Sequence, residues 1–134
     1  MKTLTTILLL GSLAIGCKKD DTSPTQTFDL IYQQPTTIVA GGSVQAILTD
    51  VRDSRCPSDV VCITGGTIAV TVTFTNAGPT QKARLGYDKG YLRDSAQVTL
   101  HSQLYWLRLL NVTPYPTTKN GSQTRTATLR LRPQ

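Results

Sequence analysis

Ile68, Val70, Val72 and Phe74 alternate with Ala69, Thr71, Thr73 and Thr75. Side chains of a strand point to opposite faces in turn, whereas a helix repeats near 3.6 residues, so this run fits a half-buried β-strand and little else. Its β-branched side chains are stiff at χ1 and pack well on a pleated surface, which favours the same reading.

The two-residue period recurs along the chain. Phe28, Leu30 and Tyr32 alternate with Asp29, Ile31 and Gln33 until Pro35 interrupts them, and residues 37–40 resume, as in an edge strand with a break. In residues 43–52, Val44, Ala46 and Leu48 share one face and Gln45, Ile47, Thr49 and Val51 the other. Residues 80–85 and 96–100 make weaker strands. Residues 104–112 are apolar on both faces, as in a central strand, with bulk from Tyr105 and Trp106. In residues 124–132, Ala127, Leu129 and Leu131 point inward while Thr126, Thr128, Arg130 and Arg132 point outward. Gly41-Gly42, Asn76-Ala77-Gly78-Pro79 and Asp88-Lys89-Gly90 mark turns, and Asn120-Gly121 is a hairpin signal. No amphipathic helix is evident after Cys17. The pattern predicts an all-β protein, an antiparallel β-sandwich of seven or eight strands with immunoglobulin-like connectivity, and a small β-barrel as the alternative. Strands 68–74 and 104–112 are expected to supply much of the core.

At the N-terminus, Lys2 precedes an apolar run over residues 4–15, relieved only by Thr5, Thr6, Gly11 and Ser12. A spanning helix needs about 20 apolar residues, so the run suits a secretory signal better. Leu13-Ala14-Ile15-Gly16-Cys17 resembles the lipobox of bacterial lipoproteins, in which the cysteine becomes the first mature residue and carries lipid. Cys17-Lys18-Lys19-Asp20-Asp21 is similar to the signal that sends lipoproteins of the Bacteroidetes group to the outer face of the outer membrane. The resemblance implies a signal peptide over residues 1–16, a lipidated flexible tether over 17–27 and one β-sandwich domain over 28–134. It also implies attachment to the bacterial outer membrane through lipid on Cys17, on the periplasmic or the cell-surface face. Each buried CH2 of an acyl chain contributes about 0.8 kcal/mol, and stable anchoring takes more than one chain.

With Cys17 acylated, Cys56 and Cys62 remain as a pair in an oxidising compartment. A structural disulfide is the expected use, because two cysteines and a distant His101 do not make a zinc site and the spacing is not that of a C-x-x-C redox pair. No metal site and no cofactor are expected. The chain carries 14 Lys and Arg against 8 acidic residues, all of them Asp; without Lys2 that leaves 13 against 8, a formal +5. The excess is spread along the chain and reads as solubility charge, and outside the cell it does not point to nucleic acid.

The stretch around the cysteines carries the second resemblance. Asp53-Ser54-Arg55-Cys56-Pro57, a short loop, a second cysteine and a glycine before a strand are similar to a pattern in small, uncharacterised Bacteroidetes-type lipoproteins. The later run from Tyr105 to Pro116 resembles their aromatic strand with its proline-rich turn. No activity follows from that likeness. Asp53, Arg55, Pro57, Ser58 and Asp59 form a candidate binding loop, with salt bridges and Asx turns bracing the disulfide as the plainer use. Arg84, Tyr87, Lys89 and Tyr91 form a candidate sugar-facing patch. No catalytic residues stand out: there is no Glu, one His and no nucleophile motif. The expected function is therefore a membrane-anchored, non-enzymatic lipoprotein that binds a glycan, a peptide or an envelope protein. The alternatives are a protease inhibitor presenting the Cys56–Cys62 loop, and an enzyme of unrecognised type built around His101.

Overall fold

The computed structural model describes residues 24–87 and 93–134. Their strands are β1 (Gln26–Ile31), β2 (Pro35–Val39), β3 (Ser43–Asp53), β4 (Ile68–Thr75), β5 (Gln81–Tyr87), β6 (Ser95–Leu100), β7 (Gln103–Thr113) and β8 (Thr126–Pro133). Strand β1 thus begins two residues before the expected start of the domain. The expectations for residues 1–23, Cys17 among them, and for Lys89 and Tyr91 lie outside the described residues.

Two four-stranded sheets, ordered β1-β8-β7-β6 and β2-β3-β4-β5 and antiparallel throughout, pack face to face. This is the expected sandwich, and its core lies between the inner faces. The connectivity departs from the immunoglobulin pattern. Within each sheet the neighbours follow one another along the chain, apart from β1 beside β8, so among the described strands no Greek-key crossover occurs. The order is that of an up-and-down meander opened along two seams, β1/β2 and β5/β6. Because those seams carry no ladder, the sheets do not close into a barrel.

The core follows the two-residue period. Leu30, Val44, Ala46, Leu48, Val72, Leu85, Leu107, Leu109, Ala127 and Leu129 are fully buried, and Tyr105, Phe74, Val70 and Leu131 are nearly so. Strands β4 and β7 contribute heavily, as their sequences imply. Yet the outer face of β7 is not covered as expected: Leu104 is exposed and Trp106 half-buried there.

Two β-bulges shape one end of the sandwich. Pairing of β3 with β4 skips Thr49, and pairing of β7 with β8 skips Leu110. An extra residue reverses which alternate side chains face inward. Before Thr49 the inward residues are Val44, Ala46 and Leu48; after it Val51 packs on the core and Asp53 turns inside. Val51 is therefore on the inner face, not with Gln45 and Ile47. The bulged Thr49 is held by its hydroxyl, which bonds the Thr73 hydroxyl (3.1 Å) and the Thr71 carbonyl (3.2 Å). On β7, Leu109 and Val112 are both buried across the bulge at Leu110.

Candidate functional site

Asp53 closes β3 with its side chain only 5% exposed. Arg55 grips that carboxylate twice, Nε donating to Oδ1 at 2.8 Å and Nη2 to Oδ2 at 2.7 Å, and its backbone N–H adds a third bond at 3.2 Å. The same Nη2 donates to the Val112 carbonyl at 3.0 Å, and the guanidinium lies 4.4 Å from the centre of the Tyr115 ring. Arg125, the residue just before β8, approaches as well, with Nε 3.9 Å from Asp53 Oδ2 and Nη1 donating to the Pro114 carbonyl at 2.7 Å. Burial pushes the Asp53 carboxyl up, but the Arg55 bonds and the two guanidinium charges outweigh it and hold its pKa below the ordinary aspartate value.

This network anchors the start of the disulfide loop. Cys56 and Cys62 are bonded, with Cα atoms 5.9 Å apart. Across the loop's base, Ser54 N–H donates to the Thr67 carbonyl at 2.9 Å and Cys56 N–H to the Gly65 carbonyl at 3.0 Å. Gly66, at φ +69°, sits against the Ser54 carbonyl, where a Cβ has no room. Further out, Asp59 accepts from the Thr118 hydroxyl (2.6 Å) and backbone N–H (3.0 Å), and Ser58 N–H donates to the Pro116 carbonyl (3.0 Å). The Thr118 bonds hold the Asp59 pKa down.

The segment receiving those bonds is itself braced. Residues 114–125 link β7 to β8, so Asn120-Gly121 does not form the tight hairpin turn its sequence suggests. Asn120 is instead buried within a wide loop, taking a bond from Thr117 N–H and giving one to the Tyr115 carbonyl, both 2.7 Å.

The charged residues singled out in the sequence are thus the loop's supports, and among the residues the loop shows to solvent are three large aliphatic side chains. Val61 and Ile63 are as exposed as in an open chain, at 102% and 105%, and Val60 is 45% exposed. Val60 and Val61 entered the sequence reading only as part of the loop an inhibitor would present, and Ile63 was not among the candidate binding residues. Their signal was present: apolar residues beside a cysteine pair closing too short a loop to fold back over them. Next to the tip, Arg55, Tyr87, Asn111 and Tyr115 line an open cleft of about 310 Å³.

Of the candidate patch only Arg84 and Tyr87 are described, and their side chains are used differently. Arg84 is exposed on the outer face of β5, whereas Tyr87 donates its hydroxyl to the Leu109 carbonyl of the opposite sheet at 2.8 Å. Burial, with the Asp94 charge, raises the Tyr87 pKa. His101 lies at the other end of the sandwich, against Gly42, with Nδ1 3.1 Å from the Ala40 carbonyl. Among the described residues no group of three His, Cys or Asp side chains is placed to hold a metal ion. The chain matches no protein-family model, and no curated protein and no solved structure shows significant similarity to it.

Proposed function

We propose that this chain is a non-enzymatic, lipid-anchored protein of the bacterial outer membrane that docks a protein partner through the aliphatic tip of its Cys56–Cys62 loop. The observation that carries the reading is the contrast between support and tip. Asp53, Arg55, Asp59 and the disulfide hold the segment at both ends, while Val61 and Ile63 stand fully in water. Covering each of those side chains in a partner's apolar groove contributes about 2 kcal/mol. A loop already held in one shape loses little further conformational entropy on docking. The expected acylation of Cys17 keeps the domain at the membrane, where its partner is sought.

The inhibitor reading fits the geometry less well. A protease takes its substrate segment extended, but here Val60 N–H turns back to the Pro57 carbonyl at 3.3 Å and curls the segment. The two readings separate in one comparison, using wild type and the double variant Val61→Asp/Ile63→Asp. Loss of a native-membrane complex with unchanged folding supports docking. Inhibition of a protease panel by the wild type would replace it.

A further inference from the structure

The outer face of the β1-β8-β7-β6 sheet holds a second feature, independent of the loop. Register sets Trp106 of β7 directly opposite Arg132 of β8, and Arg108 directly opposite Arg130. The four side chains, with Thr25, Asp94 and Ser95, line an open concavity of about 480 Å³. Two like charges facing each other across a ladder are destabilising. Asp94 accepts from Arg108 Nε at 2.8 Å and neutralises one of them. Asp29, the other acid on this face, accepts from the Thr128 hydroxyl at 2.6 Å instead. Among the described residues no carboxylate pairs with Arg130 or Arg132, whose Cα atoms lie about 7 Å apart along the strand. The place is therefore short of negative charge, and an aromatic face lies beside it.

We propose that this concavity binds a uronic-acid polysaccharide. Arg130 and Arg132 pair with sugar carboxylates, for which the planar guanidinium is suited by its two parallel donors. Trp106 stacks on the C–H face of a pyranose ring, and the ring hydroxyls can bond the Thr25 hydroxyl or donate to the Ser95 hydroxyl, which itself donates to Asp94 at 3.2 Å. A bare phosphate surface would use the arginines but gain nothing from a half-buried indole set back in the concavity, so a charged sugar chain accounts for more of what is present.

Trp106 is the only tryptophan in the protein, so emission under excitation selective for tryptophan over tyrosine reports on this cleft. The experiment titrates the purified full chain in detergent with polygalacturonate, with neutral dextran and with inorganic polyphosphate. The expected result is a saturable change in Trp106 emission with polygalacturonate and none with dextran. Arg130→Gln/Arg132→Gln, whose side chains are exposed and whose folding is checked by circular dichroism, should weaken binding about tenfold or more through loss of charge-assisted pairs. Trp106→Leu, followed by calorimetry, should weaken it as well. An absent response to polygalacturonate, an unchanged affinity in the arginine variant, or tighter binding of polyphosphate than of polygalacturonate would overturn the proposal, the last in favour of a phosphate-bearing surface.

Discussion

Asp53 and Arg55 are two residues apart, yet they form a bidentate ion pair with both side chains largely out of water, 5% and 14% exposed. The pair exists because the bulge at Thr49 turns Asp53 inward, and because the chain leaves β3 there and lets Arg55 fold back over it. Removing the carboxylate leaves Arg55 and Arg125 facing each other without a counter-charge. Asp53→Ala should cost about 3 kcal/mol, the low end for a broken buried pair, measured by urea denaturation. Asp53→Asn, which keeps the shape, should cost less.

The same residue sets a pH dependence. Its folded-state pKa lies below the unfolded value, so the unfolded chain takes up the proton first as pH falls. The contribution is complete above roughly pH 5, begins to fall as pH nears the unfolded value of about 3.9, and is lost as pH drops through the lower folded pKa. Stability of Asp53→Asn should show a flatter acid limb than wild type; identical limbs would count against the pair.

Replacing both Cys56 and Cys62 by Ser should lower stability by about 2 kcal/mol, the loop-closure value for so short a ring. In a domain of this size that is roughly a 10 °C fall in Tm. The Asp59–Thr118 bonds and the ladder at residues 54–67 remain, so the sandwich should stay folded while proteolysis gains a site within residues 57–64.

Gly66 and Gly65 give a matched pair. A Cβ at Gly66 runs into the Ser54 carbonyl at a left-handed φ, whereas one at Gly65 meets nothing within 4 Å. Gly66→Ala should cost about 1–3 kcal/mol and Gly65→Ala close to nothing, read from thermal unfolding.

Acylation has a direct readout. The N-terminal peptide of the mature protein should begin at Cys17 and carry the mass of its acyl chains. A Cys17 thiol that alkylates freely in the mature protein would remove the anchor from the account.

Much of the fold was legible because burial of one face leaves a two-residue period: Ala127 to Leu131 on β8 sit as their alternation implies, and Ile68, Val70, Val72 and Phe74 of β4 are buried as expected, although Ala69 and Thr73 of its other face are buried too. Val51 was misread because a bulge adds one residue without changing the composition around it. Asn120-Gly121 misled for a different reason: Asn120 serves as a buried hydrogen-bonding hub, a role its local sequence shares with a hairpin turn. The acids and arginine of the loop were visible, but whether a charge braces or binds depends on partners 50 or more positions away, Val112 and Thr118 among them. The quartet of Trp106, Arg108, Arg130 and Arg132 depends on the register between two strands, which neither strand states alone.

The central claim is that the partner meets the tip and not the supports. A photo-crosslinking amino acid placed at position 61 or 63, and at the exposed Arg84 of β5 as control, can be irradiated in native membranes and the products resolved by mass. The account predicts one discrete protein adduct from positions 61 and 63, none from position 84, and loss of the position 63 adduct when Val61→Asp is added. The same adducts from all three positions, or none from the tip, would contradict it.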